Sequence, residues 1–356
     1  MPAPDRPSTD HPPRLDSLTG LRALAAGTVF VYHLHTLGVF TGTGQSVLTA
    51  IAGGGASAVS LFFILSGFVL AWSHRPGTPT RVIWWNRLVR IWPLHLVAFA
   101  LALLVAATVY PAIRTVDPLA ALANLFLVSA WRADWWQAGN PVSWSLVCEA
   151  FFYLLFPIIM RFLLRLPRAS VFGVTAVAIA LIWILPAMIP VVAPELSAYS
   201  NPVLRMPEFV LGLALAVLMR EHGWRGPRLS IVIPIALAGY VAATVEAGSP
   251  FGAAAWTAVG FGLLIAALAR ADQEARNTWL ARRAAVFLGD RSFAFYLVHL
   301  LALQVFVGLQ PQLPSTISGN PYIAAVVAGT AAFLLACVMH RAVERPVVDA
   351  FRLATS

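Results

Sequence analysis

Of the ionisable residues of this 356-residue chain that lie in or directly beside long apolar runs, two histidines, two glutamates and four arginines stand out, since an ionisable group is expensive there and reads by default as part of a site. His33 falls near the end of the stretch RLDSLTGLRALAAGTVFVYHLH, in which Arg22 is the one charge between Leu18 and Phe40. A helix that starts at Ser17 carries His33 about 24 Å along its axis, well past the middle of a bilayer core of about 30 Å. Charged and facing lipid there, it would cost about 2.5 kcal/mol or more, so it is expected to face protein or water and to have a partner.

Arg87 and Arg90, three apart in RLVR, share one helix face, where two donor forks can hold phosphates; a topology signal or contact with lipid headgroups is the plainer reading of the same pair. Glu149 lies about 12 Å below the outer end of its helix, with Trp144 and Tyr153 about a turn to either side. Because the first helix rises from inside while this one descends from outside, His33 and Glu149 can reach similar depths. A carboxylate on one imidazole nitrogen would then leave the other nitrogen to take a proton from a hydroxyl. Arg205 and Glu208, also three apart, read as a local ion pair near the outer end of another run. In GDRSFAFYLVH, Tyr296 and His299 follow two charges at a helix entrance, and His299 reads as a hydrogen-bonded core histidine. No HExxH, paired CxxC, Walker loop or G-x-S-x-G elbow is present, which removes the commonest metal, nucleotide and serine-hydrolase chemistries.

The elements that must hold these residues are membrane helices. The chain is 59% hydrophobic and 11% charged, with a mean hydropathy of +0.78. Its long runs are apolar all round, a pattern that a soluble core does not need. The expected fold is an all-α polytopic bundle of ten spans: Leu18–Phe40, Ile51–Trp72, Ile91–Tyr110, Val142–Met160, Val171–Pro190, Val203–Met219, Ser230–Glu246, Ala253–Leu268, Ala285–Gly308 and Pro321–Met339. Pro118–Ala130 is too short to span comfortably and reads as a re-entrant or interfacial helix. Residues 1–13 are expected to be a disordered cytoplasmic tail, 14–346 the membrane domain and 347–356 a second cytoplasmic tail. No cleavage is expected, since Ala23-Leu24-Ala25 precedes most of the first apolar run.

The net charge of +9 comes from 24 arginines and no lysine. With the N-terminus inside and ten crossings, all but Arg114, Arg132 and Arg205 fall at cytoplasmic ends or loops. That distribution accounts for the basic charge without nucleic acid, and both termini are placed in the cytoplasm. Cys148 and Cys337 lie inside apolar runs and read as small core residues.

Taken in order, LDSLTGLRALAAGTVFVYH, LFFILSGF, RLVRIWP, WSLVCEAFFYLLFP, RMPEFVLG, LGDRSFAFYLVH and the terminal ERP resemble the blocks of the membrane-bound acyltransferase 3 family, which O-acylates polysaccharides, lipid-linked sugars and some antibiotics. The resemblance covers nearly the whole chain. It implies that His33 is catalytic, as base or transient acyl carrier, and that Arg22, Arg87 and Arg90 serve the acyl donor. It also implies that Glu149 and Tyr153 line the site. The donor would be cytoplasmic acyl-CoA, acetyl-CoA foremost, with no bound cofactor and no metal. The acceptor would be a hydroxyl of a sugar-containing molecule, often on the outer side of a bacterial cytoplasmic membrane. His35 competes with His33, but only His33 keeps the family spacing from Arg22. Asp290-Arg291 departs from the family, which more often has an uncharged step before Ser292. Many members carry a further extracytoplasmic hydrolase-like domain, which is not expected here. Two other classes compete: a transporter or flippase of a lipid-linked or anionic solute, for which no internal symmetry speaks, and a scaffold that binds acyl lipids.

Overall fold

The computed structural model describes residues 14–113 and 117–355, with side chains through residue 350. The expected tail over residues 1–13, and Arg114, lie outside the described residues. Among those described, every regular element is a helix and none is a strand. The chain runs through α1 (Asp16–Thr36), α2 (Gly42–Ala52), α3 (Ala58–Trp72), α4 (Thr80–Thr108), α5 (Pro118–Leu125), α6 (Trp144–Leu163) and α7 (Arg168–Val192). It continues through α8 (Pro202–Arg220), α9 (Leu229–Val245), α10 (Ala255–Gln273), α11 (Arg283–Leu309), α12 (Ser315–Ser318), α13 (Pro321–Met339) and α14 (Arg345–Thr355).

Among the described residues eight helical stretches are long and apolar enough to cross a membrane, and the chain is a multi-pass membrane protein. Two of the ten expected runs fall outside that set. α1 carries Arg22 and two histidines, which lower its hydropathy, and α9 has only 17 residues. α5 has eight residues, far short of a crossing. Apolar side chains cover the outer faces of α7, α9 and α13, where Val177, Leu237, Val241, Val326 and Leu334 are all exposed, as lipid-facing positions are. Inside, Phe63, Phe152 and Phe209 are fully enclosed, and Phe152 meets the other two rings at 5.2 and 5.1 Å.

Three boundaries differ from expectation. The stretch from Thr80 to Arg90, outside the expected span Ile91–Tyr110, forms the first three turns of α4, and Pro93 sits inside a continuous helix. Those turns are amphipathic: Trp84, Trp85 and Leu88 are exposed, like an interfacial aromatic belt, while Arg87 turns inward to a cavity. The loop expected through Gly42 and Gly44 is helix α2, which a 3₁₀ turn at Gly53–Ser57 joins to α3. Residues expected as a C-terminal tail form α14, which follows a π-helical turn at His340–Glu344.

What positions the site is the contact of α1 with α11, among the most extensive in the fold. The N-terminus of α1 is pinned by α10: the Ser17 amide donates to Asp272 at 2.9 Å, a carboxylate at the positive end of the helix dipole. Above that anchor, Gly289 of α11 lies directly against the Thr19 carbonyl of α1, leaving no room for a Cβ. Gly289→Val is therefore expected to destabilise the protein by about 3 kcal/mol, the upper end for overpacking, and to lower activity by pushing the two helices apart. Gly27→Ala on α1, which has nothing within 4 Å of the added methyl, should leave the melting temperature in detergent unchanged or raised.

Candidate active site

Three cavities join end to end through the bundle. A vestibule of about 1000 Å³ lies at the end where α1, α4 and α11 begin and α13 finishes. It is lined by seven arginines against three carboxylates. It narrows to a neck of about 80 Å³, with Arg22, Arg87, Arg90 and Phe293 lining both. The neck shares Val59 and Tyr296 with a third cavity, a chamber of about 300 Å³ toward the far ends of α1 and α11, and His33 lines that chamber. The path is traced by helical stripes. On α11, Ser292, Tyr296, Leu300 and Gln304 recur every four residues along it; on α1, Arg22 is followed seven residues on by Val29 and then by His33, with Leu37 just past the helix end.

At the neck, Arg22, Arg87 and Arg90 make no hydrogen bond or ion pair with the described residues; Arg87 only overlies the Tyr153 ring, at 5.7 Å. The one carboxylate there, Glu149, accepts a hydrogen bond from the Tyr153 hydroxyl at 3.0 Å. Since that hydroxyl spends its proton on Glu149, Ser66, 2.8 Å away, donates to Tyr153. Three guanidiniums facing one engaged carboxylate leave an excess of positive charge and unspent donors, a setting for phosphates or another polyanion.

The expected pairing of His33 with Glu149 does not occur. Glu149 lines the neck and His33 the chamber, and the partner of His33 is His299. Both helices rise in the same sense from the vestibule, so residues at matching depth on α1 and α11 meet side by side, whereas Glu149 points to the arginines one layer lower. The hydrogen bonds fix the tautomers. His299, fully buried, lies with Nδ1 2.7 Å from the Tyr296 carbonyl, which can only accept, so Nδ1 carries the proton and, in the neutral ring, Nε2 is an acceptor. His33 Nδ1 is 3.0 Å from that Nε2 and 3.0 Å from the Val29 carbonyl, two acceptors, so His33 Nδ1 is the donor. The Nε2 of His33 is then left with a free lone pair. His299 is thus the core histidine expected, and also the group that orients His33.

The remaining candidates separate. Tyr296 stands where neck meets chamber, its hydroxyl 2.9 Å from Ser145 Oγ. Trp144 lines the chamber, with Trp136 at 6.0 Å and Tyr199 at 4.7 Å between ring centres. Burial raises the pKa of Tyr199, which keeps its hydroxyl protonated as a donor. Arg205 and Glu208 form the expected ion pair at 2.9 Å, and with side chains 3% and 2% exposed it is closed to solvent. Arg205 also donates to Ser60 at 2.9 Å and lies over Phe63, Trp144 and Tyr199. The pair lines a neighbouring cavity, not the chamber, behind Trp136 and Tyr199. His35 is engaged by Gln45 at 2.8 Å and does not line the chamber. Of the departing step on α11, Asp290 reaches Arg14 at 3.7 Å and Arg291 bonds back to the Phe287 carbonyl at 2.8 Å. Trp136, Tyr199 and Gln304 were not singled out from the sequence; the four-residue stripe that starts at Ser292 is the signal that would have found Gln304.

The chain has relatives among known proteins. The chain is 36% identical over 318 residues to the acyltransferase MdmB of Streptomyces mycarofaciens, covering 82% of this chain and 79% of that one. It is 26% identical over 242 residues to the peptidoglycan O-acetyltransferase OatA of Listeria monocytogenes, covering 61% of this chain and 35% of that longer protein. It is 28% identical over 169 residues to the O-acetyltransferase OatA of Staphylococcus aureus, over 43% of this chain and 26% of that one. No solved structure matches. Residues 15–341 match the family model described as an acyltransferase domain, so the protein that holds this passage is an acyltransferase enzyme, a member of the acyltransferase 3 family.

Proposed function

We propose that the protein transfers a short acyl group, acetyl foremost, from cytoplasmic acyl-CoA to a hydroxyl of a sugar-containing acceptor, with His33 as the general base. The observation that carries this reading is the set of three arginines without ionic partners at the mouth of a neck that leads to the free nitrogen of His33. The vestibule has the volume of a nucleotide-sized ligand site, and Arg22, Arg87 and Arg90 suit the phosphates of CoA. From Arg22 to His33 is eleven residues, about 16 Å along a helix, and the pantetheine arm covers that step through the neck. Glu149 and Tyr153 line its path. The arginine-rich end then faces the cytoplasm of a bacterial inner-membrane protein, with ten crossings, both termini inside and a membrane domain over residues 14–346. A glycan acceptor is suggested by the peptidoglycan O-acetyltransferase among the relatives.

In this reaction the acceptor oxygen attacks the thioester carbonyl carbon while its proton passes to His33 Nε2. The C–O bond forms, the C–S bond breaks, and the proton returns from Nε2 to the departing sulfur, giving the ester and the CoA thiol. His299 holds His33 by its Nδ1–H throughout, so the ring gains and loses its proton only on the chamber side. Acetyl trapped on His33 in the absence of acceptor would make that nitrogen an acyl carrier in place of a base.

With radiolabelled acetyl-CoA and purified protein in detergent, where no gradient exists to drive transport, the wild type is expected to consume the donor and His33→Ala to lose at least a hundredfold in turnover. Replacing Arg87 and Arg90 together with alanine should raise the KM for acetyl-CoA by tenfold or more, and full turnover by His33→Ala sinks the reading. The orienting role of His299 has its own signature. His299→Leu should lower kcat about a hundredfold with little change in KM, while His299→Gln, whose carbonyl can accept from His33 Nδ1–H, should retain most of the rate. Equal loss in both variants would assign His299 to packing alone.

A further inference from the structure

Gln304 is a buried polar residue of the chamber wall whose chemistry the transfer step leaves unused. It is 6% exposed, on α11 one turn beyond Leu300, and its carbonyl oxygen is enclosed without a hydrogen-bond partner. A buried amide left unsatisfied destabilises a fold, and such groups in native proteins call for an explanation. Leucine would fill the position without that penalty. Part of the same wall is aromatic: Trp136, Trp144 and Tyr199 form a cluster in which Trp136 lies 5.6 Å from Tyr199, ring centre to ring centre. A chamber of about 300 Å³ is at the small end of ligand sites, the scale of one ring and not of a polymer.

Resting on the acyltransfer reading above, we propose that this chamber is the acceptor seat and that it takes a single pyranose ring. The apolar face of the sugar lies on the Trp136 ring with the Tyr199 ring at its edge, one ring hydroxyl donates to the Gln304 carbonyl oxygen, and a second hydroxyl faces His33 Nε2. The chemistry matches on each side. Aromatic faces accept the C–H face of a sugar, a lone carbonyl oxygen accepts a hydroxyl, and both stand in the cavity that His33 lines. The rest of a longer glycan or a lipid-linked carrier has its way out past Tyr32, Trp136 and Tyr199 into the adjoining cavity, about 800 Å³, which shares those residues with the chamber. Gln304 and Trp136 are thereby specificity-determining residues.

The test is equilibrium dialysis of radiolabelled methyl glucoside, galactoside and mannoside against the purified full-length protein in a detergent that is not a glycoside. At least one sugar is expected to bind saturably, and Gln304→Leu to weaken it about tenfold, the loss for one hydrogen bond, with Trp136→Ala weakening it as well. The melting temperature of Gln304→Leu should equal or exceed that of the wild type, because the variant removes an unpaired buried amide. No saturable binding of any of the three sugars, equal binding by Gln304→Leu, or a melting temperature lowered by several degrees in that variant overturns the proposal. Sugar binding needs no donor, so its presence beside a wild type that consumes no acetyl-CoA would mark failure of the donor reading alone.

Discussion

Inside a membrane an ionisable or polar side chain has to be partnered, or else face a cavity where a ligand or water supplies what the protein does not. That constraint sorts the polar interior of this protein into two kinds. Arg205 and Glu208 answer each other, with Ser60 as a third member and aromatic rings around the guanidinium, and both side chains are nearly fully buried. Asn124 spends its side-chain amide on Ser143 at 2.6 Å and its backbone carbonyl on His95 at 3.0 Å, and its side-chain oxygen has no partner. Open groups gather along the passage, three guanidiniums, one imidazole nitrogen and one glutamine oxygen, while other buried atoms without a partner, at His95, Asn124 and Ser200, lie off it.

The passage exists because helices of different character are brought into contact at a few points and kept apart elsewhere. Ser17 on Asp272 fixes where α1 starts, and Gly289 lets α11 close on it. From there the two helices run together to His33 and His299. α4 and α6 lean in from the other side with Arg87, Arg90, Glu149 and Tyr153, and between the two pairs the neck remains. Small residues at the crossings do for a membrane bundle what the hydrophobic effect does for a soluble core, since lipid is as apolar as the helices it would release.

Composition and apolar runs made the helical class and the membrane setting legible, because a bilayer leaves few alternatives to a chain with such runs. The arginine pair on one face of α4 was legible from its spacing of three, and so was the ion pair of Arg205 with Glu208. The partner of His33 was not. Depth along an axis can be counted from a sequence, but which face a helix turns to which neighbour depends on rotation and packing, and two helices besides α1 carry a polar group at a suitable level. Counting favoured the carboxylate because it is the commoner orienter of an imidazole; packing brought a second imidazole instead. The helical start of α4 was missed for a related reason: arginines and tryptophans that read as loop become a regular amphipathic surface only where an interface separates them. Gln304 went unnoticed because a single amide in an apolar run has no pattern until the cavity beside it is known.

A protein with a wide cavity at one end and a second at the other faces a hazard that an ordinary soluble enzyme never meets, the leakage of ions down the membrane potential. The neck of about 80 Å³ answers it in two ways. It is narrow, so a hydrated ion would have to shed its shell to enter, and it is ringed by Arg22, Arg87 and Arg90, whose positive field repels cations and protons as an arginine does in a water-selective pore. The charges suited to holding an anionic ligand at the threshold are therefore also the ones that keep the empty enzyme from short-circuiting the cell.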